Sequence, residues 1–337
     1  VDTIIFPMVT EYKEYKLVAV ADAKFEESED EKKAEEETAK TYEDLVKQFK
    51  DSLGENVKEV ETTTELVDSP VKLKEDRIVK EKKVAIKVMD MVAGYGEDVI
   101  LNHLNFEVYE SEIFVILGGS GCGKSTLLKH LIGLNHPMSG NIVINGVDIT
   151  DDKGANLQRV LRECGILFQS GALFSSMTVA DNVALPIQEH TDLPASSIDN
   201  IVKMKLAQVS LTGYENHLPS EISGGMRKRA GLARAMALNP KILFFDEPSA
   251  GLDPVTSAEL DQLIIRLNRN YGTTMVIVTH ELPSIFSVAH RVIMLDKRVK
   301  KIIAEGSPHY LRDNSQNPFV RQFFNREIEP ENSLLRN

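Results

Sequence analysis

Gly118-Gly119-Ser120-Gly121-Cys122-Gly123-Lys124-Ser125-Thr126 follows the apolar run Ile113-Phe-Val-Ile-Leu117 and opens a helical pattern over 124–132. The stretch fits G-x-x-x-x-G-K-[ST] between a strand and a helix, the setting that identifies a phosphate-binding loop. Its four glycines let backbone N–H groups turn inward around phosphate oxygens. The helix that starts near Lys124 points the positive end of its dipole at the same anion. Lys124 supplies a point charge for the β- and γ-phosphates, and the Ser125 hydroxyl is placed to ligate Mg2+.

Two further stretches fit the same chemistry. In Ile242-Leu-Phe-Phe-Asp246-Glu247-Pro248, four apolar residues end in two carboxylates, the pattern of a strand that brings Asp246 to the Mg2+ shell. Glu247, one residue on, stands where a general base orients or deprotonates a water. Ser223-Gly224-Gly225-Met226-Arg227 is a common turn when alone. Here it lies 99 residues after Lys124 and 23 before Asp246, and it opens a helix rich in Arg and Ala. A helix N-terminus of small residues is a second natural phosphate clamp.

From residue 84 onward, strand-like and helical runs alternate. Strands are expected over 84–89, 113–117, 141–145, 165–168, 242–246 and 274–279. Helices are expected over 124–132, 179–186, 196–209, 224–237, 255–268 and 282–288. The runs at 242–246 and 274–279 are apolar throughout, the mark of strands buried on both faces. The alternation argues an α/β domain around a mostly parallel sheet.

Composition narrows the class. The 337 residues are 42% hydrophobic and 27% charged, an ordinary globular balance for one large domain or two smaller ones. Two cysteines, Cys122 and Cys164, exclude a disulfide framework and suggest a reducing compartment. No run of 18 apolar residues spans a membrane. The first residue is Val1, as in a processed product or fragment, and residues 1–9 are too short and acidic for a signal peptide. Of the net charge of −12, −8 falls in residues 1–83. No basic stripe invites nucleic acid.

That acidic first quarter is unlike the rest. EESEDEKKAEEETAKTYEDLVKQFK over 26–50 reads as a solvated helix face or linker. Tyr42, Leu45, Val46, Phe49 and Leu53 recur at helical spacing, with Gly54 at the C-cap position. Extended signals follow at 56–60 and 65–67, then a turn at Asp68-Ser69-Pro70. The run VDTIIFPMVTEYKEYKLVAVADAKFE, the acidic helix and LGENVKEVETTTELVDSP resemble the ninety-kilodalton heat-shock chaperone family over residues 1 to about 74. The match is to the end of the middle domain and the start of the C-terminal domain. No chaperone activity is expected to carry over. The segment is either a truncated fusion or gene-model artefact, the favoured reading, or a small accessory module.

Residues 84 to about 325 resemble the ATP-binding-cassette ATPase family, on the three motifs above. The resemblance implies a P-loop nucleotide-binding domain with a helical subdomain; the stretch before it is expected to be a small α+β segment. The expected division is 1–80, 81–325 and a tail at 326–337. Gly118 to Thr126 would hold ATP. Tyr95, in AGYGED, would stack on adenine. Gln169, in LFQSGALF, would sense Mg2+ and the γ-phosphate near the permease contact. Asp253, in Gly251-Leu252-Asp253, would lie in the loop that crosses to a partner. His280, ending VIVTH, would contact the γ-phosphate. In this family two copies pair head to tail, and Ser223, Gly224 and Gly225 of one close the site of the other. Met226 departs from the usual glutamine and cannot donate a hydrogen bond.

SGGMRKRAGLARA, LFQSGALFSSMTVADNVALPIQEHT and the tail Asn317-Pro-Phe-Val-Arg-Gln-Phe-Phe324 resemble more closely the ATPases of the Mla and Mce lipid transport systems. That implies an ATP-hydrolysing subunit on the cytoplasmic face of the inner membrane, bound peripherally to a permease, with an Mce-type substrate-binding protein as further partner. The cargo would be phospholipid or a related lipid moved between the inner membrane and the outer envelope. The alternatives are the ATPase of another importer, such as one for amino acids, or a chaperone-like interaction protein with a vestigial cassette. Cys122, inside the loop, reads first as a small space-filling residue; the alternative, from its place beside a helix N-terminus, is an oxidisable thiol of lowered pKa whose modification would inhibit nucleotide binding.

Overall fold

The computed structural model describes residues 83–150 and 154–326, with the short strands 4–10, 14–20 and 62–63. β1 (Ile4–Thr10) and β2 (Glu14–Val20) pair antiparallel, and β3 (Thr62–Thr63) runs parallel to β2. The helix expected around 42–53, the extended signals at 56–60 and 65–67 and the turn at 68–70 lie outside the described residues, as do residues 327–337 of the tail.

The cassette begins with β4 (Val84–Tyr95), β5 (Asp98–Tyr109), β6 (Ile113–Gly118), α1 (Lys124–Leu131), β7 (Ser139–Ile144), β8 (Val147–Asp148), α2 (Ala155–Arg162) and β9 (Cys164–Leu167). It continues with α3 (Val179–His190), α4 (Ala195–Gln208), α5 (Gly224–Ala235), β10 (Ile242–Asp246), α6 (Pro254–Tyr271) and β11 (Thr274–Val278). It closes with α7 (Leu282–Val288), β12 (Arg291–Asp296), β13 (Lys301–Gly306), α8 (Pro308–Asn314) and α9 (Pro318–Asn325).

Six strands form the central sheet in the order β13-β12-β6-β11-β10-β9, parallel except for β13. Successive side chains of a strand point to opposite faces, so a strand covered on both faces must be apolar throughout. Ile113, Val115 and Leu117 of β6 join one core, and Phe114 and Ile116 the other. β10 divides in the same way, with Leu243 and Phe245 against Ile242 and Phe244. The first core lies under α3 to α7 and includes Val183, Ile187, Ile201, Leu232 and Leu260. The second encloses Leu127, Leu128 and Leu131 of α1 beneath a four-stranded antiparallel sheet, β5-β4-β7-β8.

The α/β expectation holds, and the parallel sheet is present. The strands expected over 84–89 and 141–145 are present, but as β4 and β7 of the antiparallel sheet, an arrangement the sequence did not show. The long hairpin β4–β5 hides its alternation, because each strand carries one residue with left-handed backbone, Asp90 (φ 49°) and His103 (φ 54°), joined by a His103 Nδ1–Asp90 Oδ1 contact of 2.7 Å. Each such bulge shifts the inward residues by one position. The helix expected to stop at Pro186 runs on to His190. Buried Ile187 anchors the following turn, and Thr191 closes the end by donating its hydroxyl to the Ile187 carbonyl at 2.7 Å.

Candidate functional site

β6, β10 and β11 end beside one another, and the loops that leave them carry the phosphate-loop, carboxylate and histidine motifs. Ligands of open parallel sheets bind at such carboxyl ends. Gly118, Gly121 and Gly123 have φ of 149°, 74° and 102°, which only glycine adopts readily. At Gly118 there is a second constraint: a Cβ would lie 2.5 Å from the Leu295 carbonyl oxygen. Gly119 and Gly121 face open space. α1 starts after Gly123 with no side-chain cap and no acidic residue in its first turn. Its first N–H groups and its dipole are therefore directed at whatever anion the loop holds. Lys124 donates to the carbonyl oxygens of Gly118 (2.9 Å) and Gly119 (3.3 Å). Ser125 is exposed, as is Ser120, and Thr126 is buried.

Asp246 ends β10, half-buried. Burial raises its pKa, the neighbouring Glu247 adds to the rise, and Lys129 and Lys124 oppose it. Glu247 has left-handed backbone, φ 49°. That conformation costs a residue with a side chain about 1–2 kcal/mol. Its N–H is held by the Val278 carbonyl at 2.9 Å, across the ends of β10 and β11. His280 follows β11, and its Nδ1 lies 2.9 and 3.0 Å from the two Glu247 carboxylate oxygens. An ionised carboxylate only accepts, so Nδ1 carries the proton in that pair, and in neutral His280 Nε2 is left as an acceptor.

The structure thus gathers Lys124, Asp246, Glu247 and His280 at one end of the sheet. It does not gather the others there. Among the described residues, no hydrogen bond links Tyr95, Gln169, Ser223, Gly224, Gly225 or Asp253 to that group. Tyr95 ends β4 and is exposed, and Gln169 is exposed after β9. Ser223 caps α5, its hydroxyl accepting from the Met226 N–H at 3.2 Å. Gly225 approaches α6 so closely that a Cβ would lie 2.6 Å from Thr256 Cγ2. Asp253 caps α6, accepting from the Val255 and Thr256 N–H groups at 3.1 Å each. The Thr256 hydroxyl lowers its pKa most, followed by the backbone bonds.

Of the two readings of Cys122, the structure favours the space-filling one over the reactive thiol. Cys122 is 2% exposed, and burial raises its thiol pKa against the weaker pull of Lys124. Two residues near this group were not singled out from the sequence. Lys129 bears on Asp246. Lys228, buried on α5, donates to the carbonyls of Pro248 (2.6 Å) and Ala250 (2.5 Å) in the loop after Glu247. The available signal was a lysine one turn into a helix, in line with the buried Leu232.

Residues 101–250 match the family described as ABC transporter, and residues 1–80 the family described as Hsp90 protein. The chain is 44% identical over 248 residues to the probable ribonucleotide transport ATP-binding protein mkl of Mycobacterium bovis, covering 73% of this chain and 68% of that protein. It is 43% identical over 246 residues to the intermembrane phospholipid transport system ATP-binding protein MlaF of Escherichia coli K12, covering 72% and 90%. Among solved structures, the dimeric post-hydrolysis state of the ATP-binding cassette MJ0796 with ADP and Pi aligns at a TM-score of 0.61 and 29% identity, over 66% of this chain and 98% of that one. CbiO1 of Clostridium perfringens, part of the ABC transporter complex cbiONQ, aligns at 0.62 and 25% identity, over 73% and 100%.

Proposed function

Because the chain belongs to the ABC transporter family, we propose that it is the ATP-hydrolysing subunit of a transporter whose cargo is phospholipid or a related lipid. The observation that carries the hydrolytic role is the Glu247–His280 pair, set one residue past Asp246 and beside the uncapped start of α1. The cargo is supported by the similarity to a phospholipid transport protein over 90% of that protein's length. A ribonucleotide is the second reading, favoured by the similarity to mkl.

The residues present fit a nucleoside triphosphate with a divalent cation. The glycine loop leaves room at Gly119 and Gly121, the helix start is free of side-chain caps, and Ser125, Asp246 and Gln169 offer the hard oxygens that Mg2+ takes. Bound Mg2+ neutralises charge on the transferring phosphoryl group. Tyr95 offers an exposed ring for the adenine. The loop from Gly118 to Thr126 holds the phosphates, with Lys124 turning from its own loop carbonyls towards them. Glu247 accepts the proton of the attacking water, and His280 orients that carboxylate and faces the γ-phosphate. Ser223, Gly224, Gly225 and Asp253 act in the site of a second copy, a reading supported by the dimeric cassette structures. Residues 81–325 are the working domain, and residues 1–80 and the tail are separate segments.

The partners are a second copy, a permease and an Mce-type substrate-binding protein. A peripheral place on the cytoplasmic face of the inner membrane agrees with the described residues, in which no helix is long and apolar enough to cross a membrane.

Glu247→Gln should bind ATP as the parent does and turn it over at least about 100-fold more slowly, the scale of a lost general base. Near-parental turnover would refute the base assignment. Co-purification from native membranes in mild detergent, with mass spectrometry of bound proteins and lipids, tests the cargo. Phospholipid with an Mce-type protein supports the first reading, and a nucleotide-loaded binding protein the second.

A further inference from the structure

Lys228 lies five residues past the cap Ser223, and only 6% of it meets solvent. Its ammonium donates to the Pro248 and Ala250 carbonyls at 2.6 and 2.5 Å, and the Glu247 carbonyl stands at 3.5 Å. A lysine has three donors diverging from a point and no acceptor, so three carbonyls from one loop match it. Burial lowers the pKa of this amine, and the carboxylates of Glu281 and Glu247 oppose that shift. The loop runs from the left-handed turn at Glu247 to Asp253, the cap of α6. Its own backbone bonds are longer: Ala250 N–H to the Glu247 carbonyl at 3.2 Å and Leu252 N–H to the Ser249 carbonyl at 3.1 Å. At its far end, Gly225 sits against Thr256 with no room for a Cβ. The start of α5, the loop and the start of α6 therefore form one block.

We propose that Lys228 is a positioning residue that locks the main chain of Glu247 to Ala250 onto the helix headed by Ser223. The base of one ATP site and the phosphate-facing helix of the other then move as a single body. This rests on the reading of Glu247 as the base and of Ser223 as closing the second copy's site. The lock acts on the backbone that carries Glu247, not on ATP, so its loss slows turnover without weakening nucleotide binding to one copy.

The test uses the full chain with Lys228→Met, which keeps the stem and removes the donors, and Lys228→Arg, which returns donors in another geometry. Affinity for a fluorescent ATP analogue and kcat are measured for both. Lys228→Met should bind the analogue within about 3-fold of the parent and lose at least about 20-fold in kcat, and Lys228→Arg should recover most of that loss, the split expected when the base is misplaced while nucleotide binding is untouched. Placed on Glu247→Gln, Lys228→Met should weaken the ATP-induced dimer at least about 10-fold, as coupled sites require. A folded Lys228→Met with parental kcat overturns the proposal, and so does equal impairment of Met and Arg, which would mark a packing role. If Lys228→Met does not fold, Lys228→Gln takes its place with the same expected split. Parental hydrolysis by Glu247→Gln alone would count against the base reading, and it is separable because that variant leaves Lys228 intact.

Discussion

Glu247 and Cys122 show how much of a residue's chemistry lies in its neighbours. The two-carboxylate strand end and the histidine that ends VIVTH were legible in the sequence, because their residue types and places beside apolar runs limit what they can do. The backbone state of Glu247 was not legible, since its φ of 49° is imposed by the Val278 carbonyl and the turn that follows. Cys122 makes the same point in the choice between its two readings. Proximity to a helix start suggests a reactive thiolate, but the sulfur packs beneath Gly118, where a Cβ on that glycine would come within 2.6 Å of it. With the thiol buried and its pKa raised, alkylation of Cys122 in the folded protein at pH 7.5 should be at least about 10-fold slower than in denaturant, since the thiolate is the nucleophile. Peptide mass spectrometry after timed iodoacetamide quenching measures this, and equal rates would restore the reactive-thiol reading.

At the scale of elements, α5 is held to the loops on either side of it. Arg234 donates to the Ala172 and Gly171 carbonyls at 2.7 and 3.0 Å, gripping the turn after Gln169, and Lys228 grips the loop after Glu247. Beneath it, β9 comes so near that a Cβ at Gly165 would lie 2.1 Å from the Ala235 carbonyl oxygen and 2.8 Å from Leu243 Cδ2. Backbone cannot yield as a flexible side chain does, so Gly165→Ala must push α5 off the sheet. Overpacking of this kind costs about 1–3 kcal/mol, which for a domain of this size is a fall of several degrees in Tm. Differential scanning calorimetry checks it, and an unchanged Tm would show that the helix and strand are not in this contact. The sequence revealed the parallel strands because both their faces are covered and their apolar runs are unbroken. It showed only the start of β4, over 84–89, and concealed the rest of that strand and β5, because Asp90 and His103 interrupt their period of two and the pairing of those bulges is fixed only once the strands meet.

Across the whole molecule, two cores press on one sheet, and Lys205 of α4 sits where the helical layer meets the turn that leads into β10. It is 1% exposed and donates to Asn239 Oδ1, in the turn before β10, at 2.5 Å. Burial pushes this amine down to about 7 from an ordinary 10.5. The sign follows from proton counts. Between those two values the unfolded chain holds the proton and the folded chain has released it, so the unfolded state binds more protons and stability rises with pH. Below about 7 both states are protonated and the penalty for burying the charge is present in full. One proton contributes at most about 1.4 kcal/mol per pH unit, so the climb from pH 7 to 10 is worth a few kcal/mol. Lys205→Met removes the titration and keeps most of the packing volume. It also takes a donor from Asn239, a loss of about 1–3 kcal/mol that does not vary with pH. Relative to the parent, the variant should therefore be most favoured near pH 7 and lose ground steadily towards pH 10. Urea midpoints at pH 7, 8, 9 and 10 give the comparison. Curves that run parallel would mean that Lys205 keeps an ordinary pKa, and that the junction between the helices and the sheet carries a charge at every pH in that range.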